Sequence, residues 1–262
     1  MQQRTKIAEE IARLGGQLAL EYSNRLSSLT IEDKGPQDFV TEADKSVEAR
    51  VRGLIAEAFP DDGIVGEEDA PKPSASGATW VIDPIDGTAN FISGIPQWCV
   101  ILAVVEHDQI QIGVIYDPVH DELFSATRGQ GATLNGKAIA CSVNGRMDRG
   151  SVGTGFSNRT EPDASLQVIR SILAEGGRFF RNASGGLSLA YVAAGRLVGY
   201  IEQHMHAWDC LAGQLLIEEA GGQIEQHSAL HMIENGGRVV AGSAGAFEKL
   251  QRIADVAYGP VA

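Results

Sequence analysis

An apolar strand that runs straight into acid is the sharpest chemical feature of this chain. In Trp80-Val81-Ile82-Asp83-Pro84-Ile85-Asp86-Gly87-Thr88-Ala89-Asn90, two carboxylates stand three residues apart where the strand gives out. Pro84 turns the chain, Gly87 lets the backbone approach a ligand closely, and Thr88 to Phe91 can open a short helix. Hard divalent cations such as Mg²⁺ take oxygen ligands, commonly one or two carboxylates plus phosphate and water. Free amides at a helix start bind phosphate oxygens. The chemistry on offer is therefore a cation held beside a phosphate. Three other acidic segments could join it: Gly66-Glu67-Glu68-Asp69 at the end of another short strand, Trp208-Asp209 at the head of an apolar helix, and Asp38-Phe39-Val40-Thr41-Glu42-Ala43-Asp44. Read singly, each has a plain structural explanation. Asp83 can be a turn residue and Asp86 an N-cap, Glu67 a solvated turn, Asp209 a dipole partner, and Thr41 with Asp44 a capping box.

The elements that must position these side chains follow from periodicity. Residues 3–28 predict a helix with Ile7, Ile11, Leu14, Leu18 and Tyr22 on one face, and Asp44 to Phe59 a second with Val47, Val51, Leu54 and Ile55 inward. Between them, Glu32 to Gln37 reads as a mobile loop. Ile64 to Gly66 and Trp80 to Ile82 read as strands, the latter ending at Asp83-Pro84, and Pro71 to Gly77 as a surface loop. Val100–Val105, Ile110–Tyr116 and Glu122–Ala126 predict an antiparallel meander. Further on come strands at 151–154, 197–201 and 239–241. They alternate with helices over 164–175, 188–194, 207–220 and 244–256, several closed by glycine. This alternation predicts layered α/β packing. A weak boundary near Ser142 to Gly150 divides the chain into an N-terminal α+β domain, 1–145, and a C-terminal α/β domain, 146–262.

The composition narrows the setting. The 262 residues suffice for a sizeable core, and 44% are hydrophobic, as in ordinary globular chains. The net charge of −13 repels nucleic acid and anionic membranes, so neither is expected as a direct partner. Bound cations can still reverse the sign of a local site. Cys99, Cys141 and Cys210 are scattered and in no metal-ligand spacing, which predicts reduced thiols. The polar start of the chain and the lack of an apolar run of about 20 residues predict a cytoplasmic protein.

Taken in this order and spacing, the segments resemble the inositol monophosphatase family. The resemblance rests on Asp38-x-Val40-Thr41-x-x-Asp44, Gly66-Glu67-Glu68, Trp80 to Phe91, Gly129-x-Gly131-Ala132-x-x-Asn135-Gly136, Trp208-Asp209 and Glu219-Ala220-Gly221-Gly222. It runs from about residue 5 to 255. It implies a five-layer αβαβα sandwich of the inositol monophosphatase and fructose-1,6-bisphosphatase type, usually a homodimer, and Mg²⁺-dependent hydrolysis of small phosphate monoesters. By resemblance, Glu67, Asp83 and the carbonyl of Ile85 hold a first Mg²⁺, and Asp83, Asp86 and Asp209 a second. A third, looser ion leans on Glu67. Thr88 with Asp44 orients the attacking water, and the amides of Gly87 and Thr88 bind phosphate. Glu202 hydrogen-bonds substrate hydroxyls, Gly185 lies in the segment lining the leaving-group pocket, and Lys34 belongs to a mobile loop. Inositol monophosphate is the first substrate so implied, with Li⁺ inhibition as a further implication.

Other readings are weaker. The two residues between Asp83 and Asp86 depart from the single-residue spacing of haloacid-dehalogenase phosphatases, whose aspartate is a nucleophile. His204-x-His206 and His227-x-x-x-His231 lack the partners of a zinc site, and no G-x-S-x-G elbow occurs. Gly129-Gln130-Gly131-Ala132 lacks the βαβ context of a dinucleotide site. Within the family, histidinol phosphate, fructose 1,6-bisphosphate and 3′-phosphoadenosine 5′-phosphate are alternative substrates. Ser184-Gly185-Gly186-Leu187-Ser188 lacks the Asp of many histidinol-phosphatases and the usual Ala-containing motif of inositol phosphatases. A non-catalytic metal- or partner-binding protein is the alternative from another class.

Overall fold

The computed structural model describes residues 2–26, 31–35, 38–143, 145–156 and 161–260, with side chains for all of these except 31–35 and 38–40. Two helices open the chain, α1 (Gln2–Ser23) and α2 (Glu42–Ala58), with a hairpin of β1 (Ile31–Gly35) and β2 (Asp38–Thr41) between them. Seven strands follow in sheet order: β3 (Gly63–Gly66), β4 (Ala78–Asp86), β5 (Cys99–Glu106), β6 (Gln109–Asp117), β7 (Glu122–Thr127), β8 (Ala132–Leu134) and β9 (Lys137–Ala138). Among the described strands of this sheet, only β3 and β4 run parallel. The short helix α3 (Thr88–Ile92) leaves the end of β4.

The second sheet has the order β11-β10-β12-β14-β13, built from β10 (Ser151–Thr154), β11 (Arg178–Phe180), β12 (Gly199–Met205), β13 (Gln223–Ile224) and β14 (Gly237–Gly242). Strands β10, β11 and β12 are parallel to one another. The remaining helices are α4 (Pro162–Ala174), α5 (Gly185–Ala193), α6 (Ala207–Glu219), α7 (Ala229–Asn235) and α8 (Phe247–Tyr258).

Three buried clusters define the layers. One joins α1 and α2 to the outer face of the seven-stranded sheet through Val47, Val51, Trp80, Leu102 and Val114. The largest puts α5 and α6 between the two sheets, with Val81, Ile101, Leu189, Leu215 and Val239 in mutual burial. The third packs α4 and α8 on the far face of the second sheet. The result is the expected αβαβα sandwich.

Several elements differ from the sequence-based expectation. The helical face of α1 that is fully buried is Ala8, Ile11, Ala12, Gly15, Gly16 and Ala19, while Ile7, Leu14, Leu18 and Tyr22 flank it half-buried. Small residues win because the helix lies close to the sheet: a Cβ on Gly16 would stand 2.5 Å from the Tyr116 ring. Residues 31–35 and 38–41 form a hairpin, so residues 32–35 of the expected loop at Glu32 to Gln37 lie in a strand, and positions 36 and 37 lie outside the described residues. Strand β4 continues past Pro84 to Asp86, with an irregularity in its pairing to β5 between Asp83 and Asp86. Pro84 occupies the bulge, where its missing N–H costs no ladder bond. Helix α5 starts three residues early, at Gly185.

Candidate metal-phosphatase site

The bulge in β4 makes the site possible. In a regular strand, residues three apart point to opposite faces. Here Asp83 pairs with Ile101 and Asp86 with Cys99, so three steps on β4 match two on β5. Both carboxylates therefore face the middle helical layer. There Asp209, in the first turn of α6, meets them: one carboxylate oxygen from each of Asp83, Asp86 and Asp209 lies within 4.8 Å of the others.

Each carboxylate is locally tied. Asp83 Oδ1 accepts from the Ile85 amide at 3.0 Å, fixing the turn through Pro84. Asp209 Oδ2 accepts from the His206 amide at 3.0 Å, so the first turn of α6 is capped by its own acid. Asp86 accepts from the Ser184 hydroxyl at 2.5 Å and from the amides of Gly185 and Gly186 at 3.2 and 2.7 Å, with the Cys99 thiol at 3.4 Å. The N-terminus of α5 is thus aimed at Asp86. Gly186 permits this approach, since a Cβ there would meet Asp86 Oδ2 at 2.9 Å and Ile101 at 2.4 Å. That is the physical reason for Gly186 in the Gly185-Gly186 pair, which stood out in the sequence as a departure, while a Cβ on Gly185 would stand 2.5 Å from Met205 Cε.

Electrostatically the cluster is under tension. Burial, and then the charges of Glu67, Asp86 and Asp209, push the Asp83 carboxyl well up. Asp86 is also raised by burial, against the pull of its hydrogen-bond donors. Crowded, oxygen-only, nearly buried carboxylates are the donor set of a hard divalent cation, so the residues fit a metal centre. Glu67 follows β3 and lines the same cavity. Fully buried Glu48 shapes its turn. Glu48 accepts from the amides of Glu68 and Asp69 at 2.9 and 3.0 Å and from Arg52 at 2.7 Å, and a Cβ on Gly66 would collide with it.

Beside the cluster, Thr88 Oγ1 lies 3.3 Å from Asp44 Oδ1 and 3.1 Å from the Ile85 carbonyl. Asp44 is fully buried at the third position of α2, in a capping box with Thr41. Burial pushes its carboxyl up to about 6. Gly87 takes a left-handed φ of +99°, which a side chain would strain, and opens α3.

The cavity over these groups has a volume of about 530 Å³. Gly87, Thr88, Asp86, Gly185, Glu202 and Asp209 all line it. Glu202 accepts from the Tyr200 hydroxyl, and burial pushes its carboxyl up to about 8. The Ile85 backbone carbonyl, the group expected at a metal, accepts from Thr88 Oγ1. The Lys34 side chain lies outside the described residues, and its backbone is in β1.

Sequence reasoning missed Ser184, Gly186, Glu48 and Asn90 as shapers of the site. Asn90 Nδ2 donates to the carbonyls of Gln97 and Asn182 at 2.6 Å each, bracing α3 against the loop that starts α5. Its place in the Asp83 to Phe91 motif was the available signal. Conversely, the Gly129, Gly131 and Glu219 motifs meet away from the cavity. Glu219 accepts both glycine amides at 2.7 Å, a structural clasp between β7 and α6.

Over residues 1–256 the chain matches the inositol monophosphatase family, and it belongs to that family of metal-dependent phosphatases. It is 36% identical over 257 residues to a protein of Pseudomonas aeruginosa named Nus factor SuhB, covering 95% of each chain. Among solved structures it is similar to the extragenic suppressor protein suhB from Bartonella henselae, with a TM-score of 0.90, 31% identity and coverage of 95% and 97% of the two chains. It is likewise similar to an inositol monophosphatase from Anabaena, at a TM-score of 0.82, 32% identity and coverage of 96% and 95%. No described helix is long and apolar enough to cross a membrane.

Proposed function

We propose that the chain hydrolyses small phosphate monoesters with Mg²⁺, two to three ions per site by family resemblance, and that inositol monophosphate is among its substrates. The observation that supports this most is the convergence of Asp83, Asp86 and Asp209 within 4.8 Å beside the Thr88–Asp44 pair. Asp83, Asp86, Asp209, Glu67 and the Ile85 carbonyl would hold the ions. When bound, Mg²⁺ supplies Lewis-acid neutralisation of the phosphoryl oxygens and makes water easier to deprotonate.

The chain's own groups supply position. Thr88 has one hydroxyl hydrogen and two acceptors within reach, Asp44 and the Ile85 carbonyl, so its lone pairs are left to orient an incoming water. Asp44, raised toward neutrality, is suited to take up the proton. The amides of Gly87 and Thr88 hold phosphoryl oxygens against the start of α3. Tyr200 occupies Glu202 Oε2, leaving Oε1 to meet a hydroxyl of the alcohol half. Burying both reactants in one geometry contributes the rest of the rate. The reading implies a cytoplasmic homodimer acting on a small metabolite, with no direct nucleic-acid contact.

Phosphate release from a panel of monoesters, with and without Mg²⁺, tests the proposal. Metal-dependent release from myo-inositol 1-phosphate is expected, and its absence across the panel would refute the reading. The Nus-factor name of the curated relatives supports a second, non-catalytic role. A catalytically dead chain that still performs the role of those relatives would separate the two.

A further inference from the structure

One wall of the cavity is built from the carboxyl ends of three parallel strands. Register places them together. Ser151, Val152 and Gly153 pair with Arg178, Phe179 and Phe180, so Thr154 and Arg181 come next in step. On the other side Thr154 pairs with Ile201, and a Cβ on Gly155 would stand 2.0 Å from Glu202 Oε2. Such strand ends are where open parallel sheets receive ligands.

Two polar atoms in this wall have no protein partner among the described residues. Asn182 is 4% exposed and lines the cavity. Its Oδ1 accepts from the Ser184 amide at 3.1 Å and the Ser188 hydroxyl at 2.7 Å, and its Nδ2 is buried without an acceptor. The Ser184 amide can only donate, so the orientation of the Asn182 side chain is fixed. Thr154, also 4% exposed and lining the cavity, has a buried hydroxyl with no partner. Buried polar groups are nearly always satisfied, and each exception asks for a missing partner.

Arg181 completes the wall. Among the described residues that line the cavity it is the one cation, against Glu67, Asp86, Glu202 and Asp209. Its guanidinium carbon lies 5.2 Å from the centroid of the half-exposed Phe156 ring, and its charge reaches Glu202. Among the described residues it forms no ion pair with a carboxylate. With the acidic cluster committed to metal and phosphoryl group, this cation is left facing the alcohol half of the substrate.

We propose that Arg181, with the Asn182 amide and the Thr154 hydroxyl, forms a leaving-group subsite that selects phosphate monoesters whose alcohol carries a second anionic group. This rests on the phosphatase reading above and adds the class of alcohol it prefers. Guanidinium recognises phosphate or carboxylate through paired charge-assisted hydrogen bonds, and the two orphan groups satisfy further oxygens.

Fructose 1-phosphate and fructose 1,6-bisphosphate differ by one phosphate and test it. Phosphate release with Mg²⁺ is measured for the wild-type chain, Arg181→Gln, Arg181→Lys and Thr154→Val. The wild type is expected to favour the bisphosphate by about tenfold or more in kcat/KM. Arg181→Gln lowers that ratio about tenfold, mainly through KM, and Arg181→Lys restores part of it. Thr154→Val breaks no protein hydrogen bond, so it melts at or above the wild-type temperature while KM for the bisphosphate rises about threefold. A wild-type ratio below one, or a ratio unchanged in Arg181→Gln, overturns the inference and leaves the phosphatase reading standing. No release from either ester by the wild type also overturns the inference, and the phosphatase reading falls with it only if myo-inositol 1-phosphate is left intact as well.

Discussion

At the scale of single residues, the site separates chemistry from scaffolding in a way that mutants can read. Asp86→Asn is expected to lower kcat by about a thousandfold, because it removes a charge from the metal cluster. It also carries a structural cost. The new amide would face the Gly185 N–H, donor against donor, at the oxygen that now accepts from it. A loss of about 1–2 kcal/mol in denaturant unfolding, with circular dichroism otherwise unchanged, is the expected accompaniment. Thr88→Val keeps the shape and removes the hydroxyl that bridges Asp44 and the Ile85 carbonyl. It is expected to lower kcat about a hundredfold with little change in KM, since positioning of water is lost and substrate contacts are kept. An equal fall in both variants' thermal stability and activity would reassign these residues to structure.

At the scale of elements, the clearest prediction falls on the start of α5. Gly186→Ala forces a methyl between Asp86 and Ile101, at 2.9 and 2.4 Å from them. The helix must retreat from Asp86, costing about 1–3 kcal/mol of stability and raising the Mg²⁺ concentration for half-maximal activity severalfold. Metal titration of the purified variant checks this. The same element shows what a sequence can and cannot disclose. Asp83 and Asp86 offered a metal-and-phosphate chemistry in their own segment, Glu67, Asp209 and Asp44 joined them only through the resemblance of the whole set to one family, and most helices and the meander were legible from periodicity. The bulge was not, because Pro84 reads as a strand end. What decides otherwise is a tertiary pairing, Asp86 opposite Cys99. The buried face of α1 was misread because apolar periodicity weighs Leu and Tyr above the glycines that allow close approach to Tyr116. Edge elements of two or three residues, such as β9, β11 and β13, carry too few residues for any period to register. Ser184 and Gly186 were invisible as Asp86 donors because nearly a hundred positions separate them from it in the chain.

At the scale of the whole molecule, the raised carboxylates couple stability to pH and metal. Asp44, pushed up to about 6, binds a proton in the folded chain where the unfolded chain has lost it. Its contribution is fully present below the unfolded value near 4 and is lost as pH rises through about 6. Asp83 and Asp86 are raised as well, and Glu202 extends the trend toward about 8. The metal-free chain is therefore expected to melt at progressively lower temperature from pH 5 to pH 8. Mg²⁺ should raise the melting temperature more at pH 8 than at pH 5, since ions bind the deprotonated cluster. Melts in chelator and in Mg²⁺ across that range measure both slopes, and a flat chelator profile would contradict the burial argument. The layered architecture has one more consequence. Helices α5 and α6 fill the space between the sheets, and they bring Ser184, Gly186 and Asp209 to a strand that ends at Asp86. A ribosome therefore makes Asp83 and Asp86 long before it makes their partners. A half-synthesised chain holds Asp44, Glu67, Asp83 and Asp86 but neither Asp209 nor the helix start that braces Asp86, so enzymatic competence arrives only with the last third of translation.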